Sequence, residues 1–151
     1  MKLFKSFYFA LCGFLYCVRQ ERNFRIHLTA AVSVLIFSIL YGLPLRQYPP
    51  LILIIVLVLA LEAVNTALER AVDLESPNRH PLAKAAKDAA AAGVLLSALG
   101  AVAIACVTFS EPDRLLSVVR RFRSPGMAAG LLLYLLVFAF FIFRPYPKER
   151  K

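Results

Sequence analysis

A chain of 151 residues that is 60% hydrophobic and only 18% charged has too little polar surface to coat a water-soluble globule of its size, so an integral membrane protein is expected. Its formal charge of +9 does not point to nucleic acid, because the bases flank apolar runs, where they mark cytoplasmic membrane edges and contacts with anionic headgroups. Cys12, Cys17 and Cys106 form no CxxC pair and lie in apolar stretches, which assigns them to packing rather than to disulfides or metal.

Taken in chain order, the first element covers about residues 3 to 22. It begins with bases and an uncharged stretch, Ser6 to Val18, as a signal peptide does, but shows no small-x-small cleavage site. Aromatics crowd it (Phe4, Phe7, Tyr8, Phe9, Phe14, Tyr16) between Lys2, Lys5, Arg19, Arg22 and Arg25. That pattern predicts an amphipathic helix lying in the membrane surface. Four spans are expected to follow, over about 27 to 45, 50 to 72, 84 to 109 and 126 to 143, each close to the roughly 20 residues that cross a bilayer as helix. Pro44, Pro49 and Pro50 break the chain between the first two. The polar segment DLESPNRHPLAK separates the second from the third and leaves room for a ligand.

Lys and Arg fix the orientation. With a cytoplasmic N-terminus, thirteen of them fall inside and five outside: Arg46, Arg114, Arg120, Arg121 and Arg123. The last four sit in SEPDRLLSVVRRFRSP, which reads as an interfacial amphipathic segment. One domain is expected, with 1–109 as its membrane catalytic part and 110–151 as a linker, an additional span and a basic tail.

The chemistry concentrates on the second span, LALEAVNTALERAVDLE. At about 100° per residue, Glu62, Asn65, Glu69 and Asp73 share one face roughly 80° wide. A charge inside a bilayer costs about 2.5–3.5 kcal/mol by insertion scales, so such residues face a protein interior or a wet site. The bland alternative is a stripe that glues helices, but clustered carboxylates repel unless a cation joins them. On the third span Lys84, Lys87 and Asp88 lie at i, i+3 and i+4, either as ion pairs at a helix end or as phosphate ligands. Deeper along it, Ala86, Ala90, Gly93, Ser97 and Gly100 form a small face for close helix packing, within the chain and between subunits. In RQERNFRIH, Glu21 and Arg25 stand at i and i+4, the spacing of a weak helical ion pair.

Together these clusters offer acids for Mg²⁺, bases for phosphate and a membrane-embedded carboxylate for a proton, the parts that phosphoryl transfer requires. No GxxxxGK[ST], GxGxxG or HRD-type loop is present. A small transporter or channel subunit also carries intramembrane acids, yet the outer halves of the first, third and fourth spans are almost wholly apolar. A non-catalytic assembly protein has no need of Glu21, Glu62 and Glu69 together.

The blocks ERNFRIH (21–27), EAVNTALERAVD (62–73) and AKDAAAAGVL (86–95) closely resemble the signature of the prokaryotic diacylglycerol kinase family, over about residues 2 to 109. The resemblance implies an all-α integral membrane fold: an N-terminal surface helix and three transmembrane helices, here with one more at the C-terminus. It implies homotrimers in a bacterial cytoplasmic membrane, with active sites shared between subunits, ATP and Mg²⁺ as cofactors and a membrane lipid alcohol as substrate. By the same resemblance Glu62 is the general base and Glu21 and Glu69 hold Mg²⁺. Asn65 then orients the site, and Lys87 and Asp88 contact the nucleotide with Asn78, Arg79 and His80. Phe9 stands where many members carry a nucleotide-contacting Tyr, and Leu15 where some carry a lipid-contacting Arg. His27 within ERNFRIH resembles the undecaprenol kinase branch, whose product is undecaprenyl phosphate; diacylglycerol is the alternative substrate.

Overall fold

The computed structural model describes residues 2–76 and 80–145, and within them the chain is all-α, without a strand. Helix α1 spans Lys2–Gln20, α2 Arg22–Tyr41, α3 Tyr48–Glu75, α4 Pro81–Thr108, α5 Pro112–Arg121 and α6 Pro125–Phe143. Four of these, α2, α3 with its preceding turn, α4 and α6, are long and apolar enough to cross a membrane. Pro49 and Pro50, which read in the sequence as breakers, lie in the first turn of α3, and α4, α5 and α6 likewise carry a proline at the first or second position, where the missing N–H has no intrahelical partner to lose. The first span starts five residues earlier than expected because Glu21 is the N-cap of α2, directly after α1. It ends at Tyr41 because Gly42 turns into the left-handed region at φ 71°, its N–H reaching Ile39 O while Leu43 N–H reaches Ser38 O. That closure needs glycine.

Helix α1 packs through its C-terminal half. Cys17 is buried and Phe14 meets Phe24 of α2 edge-on at 5.5 Å, while Leu3, Phe4, Phe7, Tyr8 and Phe9 remain exposed, as suits a helix whose outer face meets lipid. Cys12 and Cys106 are exposed, so of the three cysteines only Cys17 packs inside the chain. Burial, with Glu21 as second cause, pushes the Cys17 thiol up, which keeps it protonated and inert.

Helices α3 and α4 form the main pair. Ser97 of the small face is buried with Val94 beside it, and a Cβ at Gly100 would sit 3.8 Å from Ile54 Cδ1, so the deeper end of that face packs within the chain, whereas Ala86 is exposed and a Cβ at Gly93 would meet nothing within 4 Å. Leu95, Leu96, Leu99 and Val102 of α4 face outward.

The residues after α4 fold back onto the bundle. Helix α5 is amphipathic and buries Val118 against Tyr41, Leu43 and Leu51, with Phe109 meeting Phe37 at 4.9 Å and Tyr41 at 5.2 Å. Glu111 N–H donates to Tyr41 OH at 3.0 Å and Arg114 Nη1 to Gly42 O at 2.6 Å, so α5 caps the turn between α2 and α3. Helix α6 then descends antiparallel to α2. Tyr134 meets Ser33 halfway, and at the far end Ile142 O accepts from Arg25 Nη2 at 3.2 Å while the Arg22 guanidinium lies 4.8 Å over the Phe143 ring.

The end of α6 therefore stands beside the α1–α2 junction, and α5 at the opposite end. With the native cysteines replaced by serine, a single cysteine at Ser117 is expected to react with an impermeant maleimide in intact cells. Cysteines at Lys5 and Arg144 should react only after permeabilisation. Labelling of Arg144→Cys in intact cells would contradict this topology.

Candidate active site

The site is built on α3. At 1.5 Å per residue its 28 residues run about 42 Å against a hydrocarbon core of about 30 Å, so the helix protrudes at its C-terminal end. Along the polar stripe exposure rises with distance from the core: Glu62 is 3% exposed, Asn65 7%, Glu69 intermediate and Asp73 open. The four residues thus share a face, as their spacing predicts, and lead from a buried carboxyl to a wet one.

Glu21, 41 positions before Glu62 in the chain, is brought to α3 by its ion pair with Arg70, the residue after Glu69. Asn65 Nδ2 donates to Glu69 Oε1 at 3.2 Å, fixing that carboxylate along the stripe. Asn65 Oδ1 is buried with no hydrogen-bond partner, a costly state that leaves one inward acceptor for a hydroxyl proton, a water or a cation. Thr66 is buried alongside.

Glu21 and Arg25 do not pair as their i, i+4 spacing predicts. Glu21 is the N-cap of α2 with extended backbone, ψ 116°; its carbonyl accepts from Arg25 N–H at 3.3 Å, but the extended backbone turns its side chain away from the course it would take inside a helix. Its carboxylate instead accepts from Arg70 Nη2 at 2.6 Å, and the Arg70 guanidinium lies 5.9 Å from the Tyr16 ring. Arg25 is buried and turns to helix ends: Nη1 donates to Val18 O and Arg19 O in the last turn of α1, and Nη2 to Ile142 O in the last turn of α6. Terminal carbonyls are the groups a helix leaves without partners, and a guanidinium offers donors in a fixed fork to several of them at once. Arg25 is therefore the clamp of the junction that carries Glu21, and Arg70 the base that holds the acid. Neither role is legible locally, since Arg70 is 49 positions from Glu21 and Ile142 is 117 from Arg25.

At the wet end Lys87 Nζ contacts Asp73 Oδ1 at 2.6 Å, bringing α4 to the stripe, while Lys84 and Asp88 are exposed. His80 uses its ring to cap α4, Nδ1 accepting from Leu82 N–H at 3.2 Å. Asn78 and Arg79 lie outside the described residues. Phe9 and Leu15 are both exposed on α1.

The carboxylates suit Mg²⁺, a hard cation that takes one or two protein carboxylates and completes its shell with substrate phosphates and water. Among the described residues no group of three His, Cys, Asp or Glu side chains is placed to hold a metal ion. Between α1 and α3 a cavity of about 670 Å³, lined by Phe14, Cys17, Ala63, Thr66 and Arg70 among others, opens beside the stripe. It is large enough for a ligand chain.

Comparison with known proteins bears on the same region. The family model for prokaryotic diacylglycerol kinase matches residues 8–109. An undecaprenol kinase of Bacillus subtilis is 43% identical over 106 residues, 70% of this chain and 83% of that protein. A diacylglycerol kinase of Synechocystis is 44% identical over 103 residues, 68% of this chain and 59% of that protein, and one of Helicobacter pylori is 30% identical over 95 residues, 63% of this chain and 74% of its own length. No solved structure matches the chain.

Proposed function

The chain belongs to the prokaryotic diacylglycerol kinase family and is a multi-pass membrane lipid kinase, and from that premise we propose that it transfers the terminal phosphoryl group of ATP, with Mg²⁺, to the hydroxyl of undecaprenol. The single observation that carries the reading is the graded stripe on α3, from buried Glu62 to exposed Asp73, with Glu21 of the α1–α2 junction held against the same helix by Arg70. A lipid hydroxyl stays in the membrane and a nucleotide in water, so a kinase joining them needs groups at both depths.

In this reading Glu62 accepts the proton of the lipid hydroxyl and orients its oxygen. Glu21 and Glu69 face the cation, which supplies neutralisation of the phosphate charge. Asn65 holds Glu69 in place and offers Oδ1 toward the hydroxyl. Lys87 and Asp88, together with the segment of Asn78, Arg79 and His80, meet the nucleotide at the wet end. Because His80 Nδ1 is occupied in capping α4, its contribution there is through Nε2. Residues 1–109 act as the catalytic part and 110–151 as an addition to it. The protein works as a homotrimer in the bacterial cytoplasmic membrane, a reading supported by family membership and by the outward apolar face of α4.

Undecaprenol is preferred because His27 lies within ERNFRIH and because the Bacillus subtilis relative named undecaprenol kinase is matched over most of its length. The Synechocystis relative, equally similar, is named diacylglycerol kinase and makes diacylglycerol the second reading. Labelled phosphate transfer from ATP in mixed micelles, with the two alcohols offered at equal mole fraction, is expected to give at least about tenfold greater kcat/KM for undecaprenol, a difference of about 1.4 kcal/mol in transition-state binding. Equal or greater use of diacylglycerol reverses the preference and leaves the kinase intact. Transfer to neither refutes both.

A further inference from the structure

The four arginines at the end of the bundle opposite the acids run against the usual bias of Lys and Arg toward the cytoplasmic side, and three of them make no ion pair among the described residues. Arg114 is engaged by Glu111 and Gly42 O. Arg120, Arg121 and Arg123 are exposed, and no acid pairs with them among the described residues. Arg121 and Arg123 flank Phe122, and Phe122 lines a second cavity. This one, of about 630 Å³, lies between α2 and α6 and is bounded at the α5 end by Phe109 and Phe122. Its walls are Phe37, Leu40, Met127 and Leu131, with Gly126 and Gly130 keeping α6 open along it.

The hydroxyls at its inner end have no proton to give an occupant. Ser33 Oγ gives its proton to Thr29 O at 2.7 Å, so Tyr134 OH donates to Ser33 Oγ, and neither hydroxyl has a proton left for an occupant. The walls are almost wholly apolar, and at the end bounded by Phe122 the chain neighbours Arg121 and Arg123 are exposed, so an occupant with an apolar body and a negative charge at that end satisfies both. Guanidinium groups favour phosphate through paired N–H donors.

We infer that the α2–α6 cavity holds one acyl chain of an anionic diacyl phospholipid from the leaflet on the α5 side, with its phosphate on Arg121 and Arg123. The site lies at the other end of the bundle from the α3 acids, so its occupancy does not depend on the kinase reading. It gives the arginines beyond the family's residue range a function, that of fastening α5 and α6 to the membrane surface.

The test weighs the intact protein by native mass spectrometry after equilibration with equal amounts of phosphatidylglycerol and phosphatidylcholine, and separately with undecaprenol. The unmodified protein is expected to retain phosphatidylglycerol at least about fivefold over phosphatidylcholine. Gly130→Leu, whose Cβ meets nothing within 4 Å, should fill the cavity and lower total retained lipid at least about fivefold. The double variant Arg121→Gln/Arg123→Gln, confined to exposed positions, should still retain lipid but lose the preference for phosphatidylglycerol. Equal retention of the two phospholipids by the unmodified protein, an unchanged preference in the arginine double variant, unchanged retention in a folded Gly130→Leu, or retention of undecaprenol in their place would each overturn the assignment. If Gly130→Leu does not fold, the arginine variant alone decides.

Discussion

Glu62→Gln is expected to abolish lipid phosphorylation, lowering kcat at least about 1,000-fold, while Mg²⁺–ATP still binds with near-normal affinity. The substitution keeps the shape and the hydrogen-bonding reach of the side chain and removes only its ability to take a proton and carry charge. General base catalysis contributes about 10²–10⁴ in rate, so loss at the upper part of that range follows if no neighbour substitutes. Glu69 is seven residues on, about 10 Å along the helix, with Oε1 accepting from Asn65, and Glu21 is paired with Arg70 at 2.6 Å, so neither is free to replace it. Because Glu62 is 3% exposed, a neutral amide in its place also removes a buried charge that is expensive to hold. The variant should thus be at least as stable as the parent, and inactivity will not reflect unfolding. Fluorescent-nucleotide binding beside the turnover assay separates the effects. Turnover within tenfold of the parent would refute the base assignment, and loss of nucleotide binding would move Glu62 into the metal site.

Much of this architecture was legible because membrane helices carry their signal in composition. Uncharged runs long enough to cross a bilayer located α2, α4 and α6, a shorter run from Gln47 to Leu61 that continues into a helical pattern located α3, and a period of 3.6 residues located the shared face of Glu62, Asn65, Glu69 and Asp73. The boundaries moved where local backbone chemistry decides them. Gly42 ends α2 four residues before the apolar run ends, and prolines that forbid a helix interior start the next helix. The site's connections were not legible. Local spacing pairs Glu21 with Arg25, but Glu21 is an N-cap whose extended backbone redirects its side chain, and the two charges part: the acid goes to Arg70 of α3 and the base to three carbonyls at helix ends. Charge partners separated by 49 positions, or by 117, leave no periodic trace. The extra helix could be recognised as a span, but its antiparallel course along α2 rests on Tyr134, Ile142 and Phe143 meeting Ser33, Arg25 and Arg22.

Glu69→Gln and Glu21→Gln should fail differently from Glu62→Gln: each raises the Mg²⁺ concentration for half-maximal activity at least about tenfold, with part of the lost rate recovered at saturating Mg²⁺. Each removes one negative charge facing the cation, and a tenfold change corresponds to about 1.4 kcal/mol, modest for a carboxylate bound to a hard divalent ion. Glu21 needs a further control, because its carboxylate also holds Arg70 at 2.6 Å and its loss removes that pair as well as a metal ligand. Arg70→Gln separates the two. The Arg70 and Glu21 side chains are 47% and 21% exposed, so the pair itself is worth at most about 1 kcal/mol, and its removal leaves the Glu21 carboxylate free for Mg²⁺. Arg70→Gln should therefore keep the Mg²⁺ half-activation point within about twofold of the parent. If Arg70→Gln and Glu21→Gln shift the Mg²⁺ requirement equally, Glu21 acts only by pinning α3 to the α1–α2 junction. If Glu69→Gln leaves the Mg²⁺ dependence unchanged, the cation lies elsewhere on the stripe, with Asp73 as the remaining acid on that face.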